Sequence, residues 1–244
     1  MIRFLILGLC AFLSSPVYSQ SLPAEQAYKN QAYEEALSGF LAERSEVSPS
    51  WQLAYNIGNT YYQLGQLGLA IGWYRRAQNA APRDTDIAYN LTLAREQVSD
   101  QIPEKDLLFS HRLGDLVSAF SFNEGLFFWL VWLLGLNMIG TLILLGRRVE
   151  LMKNLIAVML VLGLFITGAV ALKYYQQEWH ENAVIIADKV SVMSGPSSVL
   201  STLFYVHEGI ECRLLSVKEG WIKIELNNGF KGWVQSDTLF NINR

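Results

Sequence analysis

Two uncharged apolar runs, Leu126–Leu145 and Leu155–Leu172, flank a nine-residue connector, Gly146–Asn154. No other feature restricts the chain as strongly. A run of about 18 or more apolar residues is long enough to cross roughly 30 Å of hydrocarbon as a helix. In lipid the backbone must satisfy its own hydrogen bonds, so helix is the open-ended form available. The pattern predicts a helical hairpin, with spans at 122–146 and 154–173 and a loop at 147–153. The connector carries Arg147, Arg148 and Lys153 against Glu150, so the positive-inside rule places it on the cytoplasmic side. Both flanking segments are then expected on the opposite side.

The 244 residues leave room for two small modules beside this hairpin. A net charge of −3 is mild and gives no basic face, which argues against nucleic acid as a partner. Residues 1–19 read as a secretory signal peptide. Arg3 precedes a short apolar core, Phe4–Leu13, and small residues Val17 and Ser19 precede the expected cleavage before Gln20. Export of the N-terminal module agrees with the loop charges. Cys10 falls in that leader, so Cys212 is expected alone, with no intramolecular disulfide and no cysteine metal cluster.

Residues 20–100 read as an all-α repeat module. With Trp51 as position 1, Ala54, Ile57, Gly58 and Tyr61 fall at positions 4, 7, 8 and 11, and Ala70, Tyr74, Ala77 and Pro82 at 20, 24, 27 and 32. These are the small, large and breaker positions of a 34-residue tetratricopeptide repeat. Gly58 and Ala70 let two antiparallel helices approach, Tyr61 and Tyr74 fill the angle, and Pro82 ends the second helix. The turn is expected at Gly65–Gly68. A shorter copy lies upstream, since Ala36 and Phe40 precede Ala70 and Tyr74 by 34 residues each. Asp86–Val98 reads as a capping helix. Stacked repeats usually need about three units to bury a continuous core. This shorter array is expected to lean on a partner, on a second copy, or on the segment after it. Its docking groove is expected to carry Asn56, Asn59 and Asn90; equally, these asparagines could satisfy local backbone groups.

Residues 101–121 link the repeats to the first span. Phe109, Leu113, Leu116, Val117 and Phe120 form a helical stripe, read as an amphipathic helix on the membrane interface or as a last helix packed on the repeats. Ser121 and Glu124 have capping-box spacing and start the first span. Gly163, Thr167 and Ala171 recur every four residues in the second span, as close helix contact in lipid requires. Asn137 is expected to hydrogen-bond between helices rather than to mark an ion path, because neither span holds an ionisable residue.

After Lys173 the period changes from helical to alternating. Val184–Ala187, Val190–Met193, Thr202–Val206, Cys212–Val217, Trp221–Leu226 and Phe230–Val234 read as short strands, with Ser194–Ser197 and Asn228-Gly229 as turns. Five or six strands in some sixty residues suggest a small barrel at 182–244. Val190-Ser-Val192, Ser194-Gly195-Pro196-Ser197, His207-Glu208-Gly209, Gly220-Trp221 and Gly232-Trp233-Val234 together resemble the bacterial SH3-like domain. That resemblance implies binding of cell-wall peptides or of other proteins. Trp221 and Trp233 are the candidate ligand contacts, although both could simply pack the barrel. The order of repeats, hairpin and barrel is similar to the BatE type of the aerotolerance-operon family. The resemblance implies an inner-membrane assembly with von Willebrand A-type proteins and a MoxR-type ATPase.

The fold expected is therefore multi-domain: an all-α tetratricopeptide-repeat module, a two-helix transmembrane hairpin and an all-β SH3-like barrel. No catalytic or metal constellation is legible. His111, His180 and His207 lack metal-ligand spacing, no glycine-rich phosphate loop is present, and Cys212 has no neighbouring base. No enzymatic activity and no cofactor are expected. Two functional readings remain. One is a membrane scaffold whose exported modules gather protein partners. The other is an envelope sensor whose barrel binds peptidoglycan peptides.

Overall fold

A computed structural model describes residues 23–43, 49–100, 102, 120–144, 149–179 and 182–243. The leader, the stripe residues Phe109, Leu113, Leu116 and Val117, and residues 145–148 lie outside the described residues; of the stripe, Phe120 is described, and it is exposed. Five helices come first: α1 (Pro23–Lys29), α2 (Tyr33–Glu43), α3 (Trp51–Gln63), α4 (Leu67–Ala80) and α5 (Thr85–Glu96). Ser50 caps α3 by accepting from Leu53 N at 3.2 Å. Asp84 caps α5 by accepting from Asp86 N and Ile87 N at 3.0 and 3.1 Å. Each cap satisfies amides that a helix start leaves open. Successive helices pack against one another. A Cβ on Gly58 would lie 2.7 Å from the Tyr74 ring, so that glycine is what lets α3 meet α4. Ala36, Phe40, Ala54, Ile57, Trp73, Ala77 and Ile87 close the core of this half. The α3–α4 turn is tighter than expected. Gly65 supplies a φ of 75°, and α4 has begun by Leu67, so Gly68 is a helical residue and not part of the turn.

The second half is a seven-stranded antiparallel sheet, ordered β3-β2-β6-β5-β4-β1-β7. Its strands are β1 (Asn182–Ile185), β2 (Lys189–Met193), β3 (Thr202–His207), β4 (Glu211–Lys218), β5 (Trp221–Leu226), β6 (Lys231–Gln235) and β7 (Leu239–Asn241). The inward residues Val184, Val190, Val192, Val206, Cys212, Ile224, Leu226 and Val234 meet in one core, so the sheet rolls around it. Six strands fall where the alternation places them. The seventh, β7, is missed by sequence reading because its three residues are too few to show a period. It is held by pairing with β1, Ala183 opposite Asn241 and Ile185 opposite Leu239.

The two halves are one body. Ala70, Ile71, Tyr74, Leu91, Ala94 and Val98 from the helices share a buried core with the sheet. The contact runs along the side of α4 that faces away from α3. A Cβ on Gly68 would lie 2.4 Å from the Ile185 carbonyl oxygen, and one on Gly72 would lie 2.3 Å from the Phe240 ring. Two glycines one turn apart thus make a flat strip on which β1 and β7 rest. Polar contacts ring the strip. Gly68 N–H donates to Glu208 Oε1 at 2.8 Å. Arg76 donates to the carbonyls of Asn241 and Ile242 at 2.7 and 3.0 Å, and its guanidinium lies 4.3 Å from the Phe240 centroid. Glu211 takes Arg95 and Arg75, the latter at 2.9 Å as an ion contact without hydrogen-bond alignment. The array leans on the C-terminal sheet of the same chain, which is not among the three supports expected from the sequence.

Two further helices, α6 (Phe122–Leu144) and α7 (Val149–Trp179), are long and apolar enough to cross a membrane, over Asn123–Leu142 and Asn154–Ala171. Helix α7 begins at Val149, so residues 149–153 of the expected loop are helical. The capping box forms as read: Ser121 N donates to Glu124 Oε2 at 2.8 Å and Glu124 N to Ser121 Oγ at 3.2 Å. Glu124 also pairs with Arg83 in the α4–α5 turn, which ties the helical half to the start of α6. Gly163 is a notch for Trp132, whose Nε1 donates to the Met159 carbonyl at 2.7 Å. Trp129 Nε1 donates to Thr167 Oγ1 at 3.3 Å. These tryptophans, not Asn137, join the two helices among the described residues.

Gly68→Ala tests the strip. In a free helix this change gains about 1 kcal/mol of propensity. Here the methyl meets backbone, and overpacking of this kind costs roughly 1–3 kcal/mol. The net effect expected is destabilisation, read as a lower urea midpoint. A raised midpoint would show that the strip is not close-packed. Cys212 gives a second test. Burial, and secondarily the Glu211 carboxylate, pushes its thiol from 9.0 up to about 12. The folded state therefore keeps a proton that the unfolded chain releases. The associated stability is full below pH 9 and is lost as pH rises towards 12. Urea melts between pH 7.5 and 10.5 should fall more steeply for the native chain than for Cys212→Ala, by the slope of one proton.

Candidate functional site

The helical half bears a cavity of about 200 Å³, lined by Tyr28, Asn59, Tyr62, Gln63, Tyr74, Asn90 and Leu93. Its floor is a hydrogen-bond chain spanning three helices. Tyr74 OH donates to Asn59 Oδ1 at 2.8 Å. Asn90 Nδ2 donates to the same oxygen and to Tyr55 OH, both at 2.9 Å. The placement follows from the packing of α3, α4 and α5. Asn59 lies on α3 beside Gly58, so the close approach of α4 brings the Tyr74 hydroxyl to it. Asn90, on α5, closes the chain from the other side.

Two of the three predicted groove residues therefore come together, and they do so by bonding to each other. Asn56 is half-buried outside the lining, and its carbonyl accepts from Thr60 Oγ1 at 2.7 Å. Asn59 and Asn90 bond to side chains of neighbouring helices rather than to local backbone groups, and both line the cavity. Tyr28, Tyr62 and Gln63 were not singled out from the sequence. Their signal is the density of tyrosine on helices whose other large positions are core. Burial raises the pKa of the Tyr74 phenol well above its ordinary value, and the neighbouring Tyr55 adds to this. Burial likewise raises that of Tyr28, with Tyr33 beside it. The phenols stay protonated at neutral pH, so every side chain around the cavity is uncharged. Such a lining can exchange hydrogen bonds with backbone amides and pack against rings. It offers no counter-charge to a carboxylate or phosphate.

On the sheet, Trp221 and Trp233 share one face. Trp221 stands opposite Gln235 and Trp233 opposite Lys223, while Ile222 pairs with Val234 on the inner side. The tryptophans are therefore diagonal neighbours on the outward face, about 7–8 Å apart at the backbone. Both are half-buried. His207, read as a loop residue, ends β3 and pairs with Asp100: its N–H donates to Oδ2 at 2.9 Å and Nδ1 lies 3.0 Å away. Among the described residues no group of three or more His, Cys, Asp or Glu side chains is placed to hold a metal ion.

No family model matches the chain, and neither a curated protein nor a solved structure matches it.

The chain Tyr74–Asn59–Asn90 predicts unequal costs. Asn59→Ala removes the acceptor of two donors, the buried Tyr74 and the half-buried Asn90, and should cost about 1–3 kcal/mol. Asn56→Ala should stay within roughly 0.5 kcal/mol. Urea denaturation of the two variants reads the difference, and equal costs would contradict the network.

Proposed function

We propose that this chain is a non-enzymatic, membrane-anchored adaptor that docks protein partners outside the cytosol. The observation that carries the reading is the joining of helical half and sheet into one body, with an uncharged amide and tyrosine cavity, next to two helices apolar enough to hold it at a bilayer. A rigid body with two recognition faces and a lipid anchor suits gathering other proteins. Within this reading the helical half is a tetratricopeptide-type repeat unit, and its cavity takes a peptide segment. The sheet is an SH3-like barrel. The similarity in module order to the BatE type suggests von Willebrand A-type membrane proteins and a MoxR-type ATPase as the partners, at a bacterial inner membrane.

A second reading has its own support. The outward face shared by Trp221, Trp233 and Lys223 offers flat rings beside a cation, which suits a peptidoglycan peptide. The chain is then an envelope sensor.

Two measurements test the proposal. Alkaline phosphatase fused after Arg244 should be active if the sheet is exported; an inactive fusion that is stable and inserted overturns the arrangement. Photo-crosslinking probes at Asn59 and Trp221 in intact cells should capture protein from the former position under the adaptor reading. Capture of peptidoglycan alone, from Trp221, favours the sensor.

A further inference from the structure

Asn137 is expected to bond between helices, yet within the chain it does not. Its carbonyl accepts from Thr141 Oγ1 at 2.9 Å, while its side-chain amide meets no partner among the described residues and is exposed. The geometry is consistent along α6. Gly135 and Ile139, which face α7, lie two residues either side, and two residues turn a helix by about 200°. Ile139 is 4% exposed and a Cβ on Gly135 would lie 2.9 Å from Met159 Cε. Asn137 thus points away from the hairpin, inside the apolar window Asn123–Leu142. A primary amide facing hydrocarbon with no partner is costly.

The residues around it form a pattern. Phe127, Leu130, Leu134, Asn137, Thr141 and Leu144 succeed one another at spacings of three, four, three, four and three, and all are exposed. This is the spacing of a left-handed helix-pair seam, with the Asn137 amide to fix register; Thr141, the other polar residue of the stripe, donates back to the Asn137 carbonyl. We propose that α6 carries a self-association seam, and that its occupant is α6 of a second copy of this chain. Depth decides in favour of a second copy. Two copies inserted the same way run their α6 helices parallel, so each Asn137 meets the other at the same level in the bilayer. A primary amide has both donors and an acceptor, so two of them satisfy each other across a two-fold axis. This inference rests on α6 and α7 being membrane spans.

The experiment uses full-length protein in native membranes, in a Cys10→Ala, Cys212→Ala background. Single cysteines are placed on the seam (Leu130→Cys, Leu134→Cys, Thr141→Cys) and at exposed positions off it (Phe128→Cys, Leu164→Cys). Oxidation should give several-fold more disulfide-linked dimer on the seam than off it. Adding Asn137→Leu to Leu134→Cys should lower dimer affinity roughly three- to twentyfold, measured by dilution in proteoliposomes. Asn137→Gln should retain most of it. Equal yields on and off the seam, no dimer, an unchanged affinity with Asn137→Leu, or capture of a different protein would each overturn the proposal. Alkaline carbonate washing separates the two possible failures. Protein stripped from the membrane defeats the spans themselves; protein that is retained but not linked defeats only the seam.

Discussion

Helix α4 is packed on both sides, and the rest of the structure depends on that. One side enters the helical core through Trp73 and Ala77, with Tyr74 seated on Gly58. The other side, Gly68, Ile71 and Gly72, lies under β1 and β7. A short helical array ends with apolar surface it cannot cover alone. Here the last strand and the loop from Glu208 to Glu211 cover it. The polar groups at the rim are set by this contact. Glu208 satisfies an open amide at the start of α4, where the helix dipole also favours a carboxylate. Arg76 satisfies carbonyls at the end of β7, where the sheet has no further strand to do so.

The cavity is tied to the same contact. Tyr74 belongs to its lining and also to the core shared with the sheet. A change in how the sheet sits on α4 therefore reaches the cavity floor through one side chain and the hydrogen bonds it makes. The cavity and the sheet thus share one packed core rather than standing as independent modules. Arg83 and Glu124 extend that link to the beginning of α6.

Much of this was legible because it is periodic. The 34-residue spacing located α2 to α5, alternation located six strands, and the apolar runs located α6 and α7. The capping box at Ser121 was readable because both of its partners are local in sequence. What escaped is non-local. Gly68 reads as a turn glycine, and only the backbone of Ile185 explains it. Phe240 and Arg76 carry no pattern at all, yet they secure the junction. The groove was half legible: asparagine on a repeat helix drew attention to Asn59 and Asn90, but which amides face a cavity depends on α5 crossing α3. Asn137 reads as an interhelical hydrogen-bonding residue but makes no such bond to α7 among the described residues, because it lies on the side of the helix away from Gly135 and Ile139.

The junction spans a long stretch of chain. Arg76 and the carbonyl it bonds at Ile242 are separated by 166 residues. At a synthesis rate of about 5–20 residues per second, roughly 8 to 33 s pass between the emergence of one and the other. Throughout that interval the glycine strip lacks its cover, while the two long apolar helices are made in between. Final closure is thus a late, topologically distant step. A ribosome that stalls or terminates shortly before Phe240 leaves behind a product with sticky, half-finished helices, the kind of surface that quality-control proteases and holding chaperones are built to find.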